Sequence, residues 1–136
     1  MYGGFNENYL TDYYSFNTVT QTWTESELHG EHTPCPRERA TMVPYVEDKL
    51  VLFGGYYCSP DMEVETYLDD VYVLDLSMME WMKPTIQSET ESEALQPRSA
   101  HTANFVKGKM YVFGGLTKQQ YKEIFFTIFI LKEKFK

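Results

Sequence analysis

The chain has 136 residues, 43% of them hydrophobic and 16% aromatic, which suits one ordinary domain and excludes a disordered segment. Residues 1–115 carry seven Lys or Arg against eighteen Asp or Glu, and the last 21 carry five Lys against two Glu. An acidic body of this kind argues against a nucleic-acid partner, whose phosphates favour a basic surface.

The richness in Tyr (11) and Phe (9) leans towards β structure. The longest apolar run, "IFFTIFIL" (Ile124–Leu131), is far short of the ~20 residues of a membrane helix, so no membrane span is expected. The N-terminus shows no basic region followed by an apolar stretch, hence no secretory signal is expected. Two cysteines, Cys35 and Cys58, are too few for a secreted disulfide scaffold, which makes a reducing, cytoplasmic location the expectation.

In chain order, the first signal is Tyr2-Gly3-Gly4, read as the end of a strand where the backbone turns with positive φ or a neighbour comes close. "DYYSFNTVTQTW" (Asp12–Trp23) then gives a strand, a tight hairpin connection and a strand starting at Trp23. Residues 1–26 thus read as a partial unit. Pro36-Arg37 opens a complete four-stranded unit over 37–84. Its strands are the run Ala40–Val46, "KLVLFGG" ending at Gly54-Gly55, the alternating "VYVLDL", and one beginning at Trp81. Pro97-Arg98 opens a third unit, whose first two strands fill 98–115 and end in "KMYVFGG". Residues 116–136 form a divergent tail. "YKEIFFTIFIL" could be a degraded third strand, yet no Asn/Asp-x5-Trp follows it, and an apolar run of this kind at an open edge is an aggregation hazard.

Three signatures share one period of about sixty: Arg37 with Arg98, Lys49 with Lys109, and Tyr14 with Tyr72. Their order is Pro-Arg, then apolar-apolar-aromatic-Gly-Gly, then Tyr-x-[FL]-[ND]-x5-Trp, and in this order they resemble the kelch repeat. The resemblance covers residues 2–115. It implies an all-β, kelch-type β-propeller segment of two to three four-stranded antiparallel blades. Propellers close with 4–8 blades, so this segment is not a closed ring by itself. The resemblance further implies structural roles for Gly3, Gly4, Gly54, Gly55, Gly114 and Gly115, for Tyr14 and Tyr72, for Trp23 and Trp81, and for Arg37 and Arg98. Ala40 stands where the other copy has His101, so no chemistry is assigned to His101. A truncated gene product, chains that pool their blades into a homo-oligomeric ring, and an open capped array all remain open.

No catalytic residue is expected: nucleophile elbow and phosphate loop are both absent from the sequence. His29, His32, Cys35 and Cys58 depart from the spacing of structural zinc sites, so neither metal nor cofactor is expected. The informative feature is the acid. Loops 24–35, 56–68 and 84–96 are expected on one face of the blades. They hold Glu25, Glu27 and Glu31, then Asp61, Glu63 and Glu65, then Glu89, Glu91 and Glu93, with no Lys or Arg among them. Tyr56, Tyr57 and Met62 are the expected contacts beside the acids. The function expected is a protein-interaction scaffold that presents this face to a basic peptide or domain. The alternatives are the regulatory propeller piece of a larger enzyme, such as a kelch-bearing Ser/Thr phosphatase, or a non-functional fragment.

Overall fold

A computed structural model describes residues 1–59, 64–88, 96–118 and 126–132, which build three antiparallel sheets and no helix. Sheet 1 contains β1 (Tyr2–Asn6), β2 (Asn8–Asn17) and β3 (Thr22–Ser26), in the order β1-β2-β3. Sheet 2 contains β4 (Thr41–Val46), β5 (Lys49–Cys58), β6 (Glu65–Asp75) and β7 (Glu80–Met82), also in chain order. β8 (Thr85–Ser88), β9 (Thr102–Val106), β10 (Lys109–Phe113) and β11 (Phe126–Lys132) form sheet 3, in the order β8-β11-β10-β9. The divergent tail therefore supplies a strand, β11, which pairs with β10 on one side and β8 on the other. The outer strand of this sheet comes from chain that precedes β9. Pro84 lacks the N–H that would extend β7, and the next four residues join sheet 3 instead.

The repeated Asn or Asp sets the outer hairpins. Asn17 Oδ1 accepts the Val19 and Thr20 amides at 2.9 and 3.0 Å. Asp75 Oδ1 accepts those of Ser77 and Met78 at 2.9 and 3.2 Å. These short side chains stand in for the backbone carbonyl of a turn, so the chain reverses at the same place in each copy.

Alternation along the strands buries both faces of sheet 2. Leu52, Leu74, Trp81 and Tyr72 pack with Tyr13 towards sheet 1. Val51, Phe53, Val71 and Val73 pack with Ala103, Met110 and Val112 towards sheet 3. Each large apolar side chain so buried contributes about 1.5–3 kcal/mol.

The expectation that the second strand ends at the glycine pair is corrected. β5 runs through Gly54-Gly55 to Cys58, with a shift of register between Phe53 and Gly55. The cause is a close approach between sheets. A Cβ on Gly54, at φ 63°, would lie 2.7 Å from the Arg98 carbonyl oxygen. The Gly55 amide donates to that oxygen at 2.9 Å, and the Gly4 amide donates likewise to the Arg37 carbonyl. The glycine pair is a bulge through which one sheet is bonded to the next.

Candidate partner-binding face between the first two sheets

Arg37 is the strut behind this face. It is only 1% exposed, and its Nη2 donates to Asp70 Oδ2 at 2.8 Å, its Nη1 to the Gly54 carbonyl at 2.9 Å and its Nε to the Cys35 carbonyl at 3.1 Å. Burial alone would lower its pKa, but the Asp70 carboxylate overrides this and holds it up. Arg98 is buried in the same way and donates to the Gly114 and Gln96 carbonyls. Its pKa is lowered by burial.

Between sheets 1 and 2 lies a cleft of about 480 Å³. Asp12, Glu25 and Glu27 bring carboxylates to it, Tyr2 and Trp81 bring rings, and its lining contains no Lys or Arg. The Tyr2 and Trp81 rings meet edge to face at 5.0 Å. The Tyr2 hydroxyl donates to the Pro34 carbonyl at 3.0 Å, and burial pushes its pKa up to about 12. It stays neutral at physiological pH, so the charge of the cleft is set by its carboxylates. Glu25 is a strand residue, opposite Tyr14, rather than part of a loop. The Tyr14 hydroxyl donates to it, which raises the Tyr14 pKa. Glu27 follows the end of β3, and Glu31 lies exposed further along the same crossing. The crossing is fastened to sheet 2: the His29 amide donates to the Met79 carbonyl at 2.8 Å, and the Trp81 amide to the His29 carbonyl at 2.9 Å.

A second cleft, of about 250 Å³, lies where the β1–β2 hairpin meets the outer end of β5. Phe5, Tyr9 and Tyr57 line it, with ring centroids 5.0 Å apart for Phe5–Tyr9 and 5.2 Å for Tyr9–Tyr57. Tyr56 and Tyr57 stand on β5 and Glu65 on β6, so this expected loop is in part an extension of the sheet. Tyr56 packs on Tyr67 at 5.3 Å. Burial, then the Glu65 carboxylate that accepts its hydroxyl, push the Tyr56 pKa up to about 12.

Glu25 and Glu27 thus share one cleft, Tyr57 lines the other, and Tyr56 lies near the second on the same strand. Asp61, Met62, Glu63, Glu89, Glu91 and Glu93 lie outside the described residues. Sequence reasoning missed Asp12, Phe5 and Tyr9. Asp12 could have been found, because it stands two places before Tyr14 as Asp70 does before Tyr72. Both cysteines are free, Cys35 exposed and Cys58 buried. Among the described residues, no three His, Cys, Asp or Glu side chains converge as metal ligands would.

Comparison with known proteins agrees with this architecture. The family model of the KLHDC2/KLHL20/DRC7 Kelch-repeats domain matches residues 1–133. Human host cell factor 2 is 36% identical over 116 residues, which cover 79% of this chain and 13% of that protein. Human Kelch domain-containing protein 1 is 27% identical over 140 residues, covering 88% of this chain and 34% of that protein. Host cell factor of Drosophila melanogaster is 30% identical over 116 residues, covering 81% and 7%. The chain therefore spans about a third or less of the length of these relatives. With strand order, glycine bulge and buried arginine in the same places of successive sheets, the chain belongs to the kelch-repeat family and forms part of its β-propeller.

Proposed function

We propose that the chain is a protein-interaction module whose first two sheets hold a basic segment of a partner protein. The observation that carries this reading is the cleft lined by Asp12, Glu25 and Glu27, with His29 but no Lys or Arg beside them. Its carboxylates sit beside aromatic rings at a junction of two rigid sheets, a setting that suits a Lys or Arg side chain with an apolar stem. A face of one sign also speeds encounter with an oppositely charged segment, and the effect falls with added salt.

The test is a binding titration of the chain with a labelled Lys/Arg-rich peptide. The double reversal Glu25→Lys/Glu27→Lys should weaken binding by about tenfold or more and flatten its salt dependence. Equal affinity for the reversed chain, or for a peptide with Glu in place of its basic residues, would sink the reading.

A further inference from the structure

The smaller cleft, where the β1–β2 hairpin meets the outer end of β5, differs in chemistry from the acidic one. Rings rather than carboxylates make most of its walls: Phe5 and Tyr9 stand opposite each other across the hairpin, and Tyr57 comes from β5. Phe5 and Tyr9 are tilted by 59° with centroids 5.0 Å apart, and Tyr9 and Tyr57 by 60° with centroids 5.2 Å apart. Rings at such angles form the sides of a V rather than a stack. The face of each ring is the negative part of its quadrupole, so a space walled by rings favours a cation.

The central ring is held from behind. Tyr9 lies against Tyr56 with centroids 6.4 Å apart, and the Cys58 amide hydrogen-bonds to the Tyr9 hydroxyl. Burial, then the Glu38 carboxylate, raise the Tyr9 pKa, so this ring stays neutral at physiological pH. Glu7, in the turn of the hairpin, brings a carboxylate to the lining, and no Lys or Arg is found there among the described residues. Arg39, whose charge reaches Tyr9, is paired with Glu38 at 3.4 Å. At about 250 Å³ the cleft is smaller than a typical pocket for a whole small molecule and suits the head of one side chain. It adjoins the acidic cleft across the crossing between the sheets, for Pro34 lines one and Pro36 the other.

We propose that Phe5, Tyr9, Tyr57 and the Glu7 carboxylate form a cage for a methylated lysine in the basic segment of the partner protein. This names one side chain of that segment and rests on the basic-segment reading. An unmethylated ammonium is compact and strongly hydrated, and rings give it no hydrogen-bond acceptor in place of the water it loses. Methylation keeps the charge but covers it with apolar surface. Dispersion and cation–π attraction then act together, within the reach of about 6 Å from a ring centroid.

The probe is a fluorescent peptide, Arg-Gly-Arg-Gly-Lys-Gly-Arg-Gly-Arg, whose arginines serve the acidic cleft whichever way the peptide runs. Its central lysine is left unmodified, trimethylated, or replaced by the carbon isostere that carries a tert-butyl group instead of trimethylammonium. Binding to the 136-residue chain is read by anisotropy. The trimethylated form should bind about tenfold more tightly than the unmodified one, and the isostere should lose that gain. Phe5→Ala and Tyr57→Ala should each erase the preference and leave the affinity for the unmodified peptide unchanged. Equal affinity for the trimethylated and unmodified forms, an isostere that binds as tightly as the trimethylated form, or a preference that survives both substitutions overturns the cage. If the peptides are then still weakened by Glu25→Lys/Glu27→Lys, the acidic cleft stands and the cage alone falls. If no form binds, both fall. Should the alanine variants fail to fold, ring-proton shifts of the unsubstituted chain decide. A difference between the trimethylated and unmodified complexes centred on Phe5, Tyr9 and Tyr57 supports the cage, and one confined elsewhere overturns it.

Discussion

Two glycines in the same place of the repeat separate backbone strain from contact. Gly54 and Gly114 both have left-handed φ, 63° and 68°. Only at Gly54 would a Cβ meet a neighbour, the Arg98 carbonyl at 2.7 Å; at Gly114 nothing described lies within 4 Å. Gly114→Ala should therefore cost about 1–2 kcal/mol, the strain of a left-handed residue. Gly54→Ala should cost that plus the displacement of sheet 3, about 3 kcal/mol or more. Urea midpoints of the two variants check this, and equal losses would mean that the contact between sheets does not matter. The glycine pairs, the arginines and the Trp residues were legible in the sequence because a residue needed at every repeat recurs at a fixed interval. Tyr9 and Phe5 were not. They belong to a hairpin of different length in each copy, and nothing in the repeat marks them.

At the scale of the element, β4 and sheet 3 meet through the Tyr45 and Phe105 rings and through a polar contact of His101. His101 Nε2 and Thr41 Oγ1 are 2.8 Å apart, and the imidazole packs on Phe53 with centroids 4.9 Å apart. Burial, then the nearby Arg98 charge, push the His101 pKa down to about 4. The unfolded chain titrates this residue near its ordinary 6.5, so between pH 6.5 and 4 the unfolded state binds the extra proton. Stability from this group is fully present above pH 6.5 and declines as pH falls through that window, on the order of 3 kcal/mol in all. His101→Gln should flatten the stability profile between those limits in urea titrations, and an unchanged slope would show that other groups carry it. Asp75 acts lower on the scale. The Lys49 ammonium and the Ser77 hydroxyl hold its carboxyl well below the usual range, so its contribution fades only as pH drops past the ordinary aspartate value. The strand order of sheet 2 was legible from alternation and turn residues. The pairing of β8 with β11 was not, because it joins segments over forty residues apart that carry no repeat signature.

At the scale of the whole molecule, the end sheets expose what the middle sheet buries. On sheet 1, Phe16 and Trp23 are 45% and 58% exposed, while Leu74 and Trp81, their counterparts in sheet 2, are 0% and 2% exposed. On sheet 3, Tyr111 and Phe113 are 36% and 46% exposed, while Val51 and Phe53, sixty positions earlier, are both 0% exposed. The two end faces are different surfaces, and each matches a side of an internal junction, so contact between copies would run head to tail. Two chains would bring six sheets together, within the range at which propellers close. In light scattering, the isolated 136-residue chain is expected at a discrete multiple of its 16.0 kDa mass. Trp23→Glu should return it to the single-chain mass, because a carboxylate would be buried without a partner at the junction. A parent chain that runs as a monomer would mean that these faces stay in water. A multimer indifferent to Trp23→Glu would place the contact on some other surface, with the apolar face of sheet 1 left uncovered.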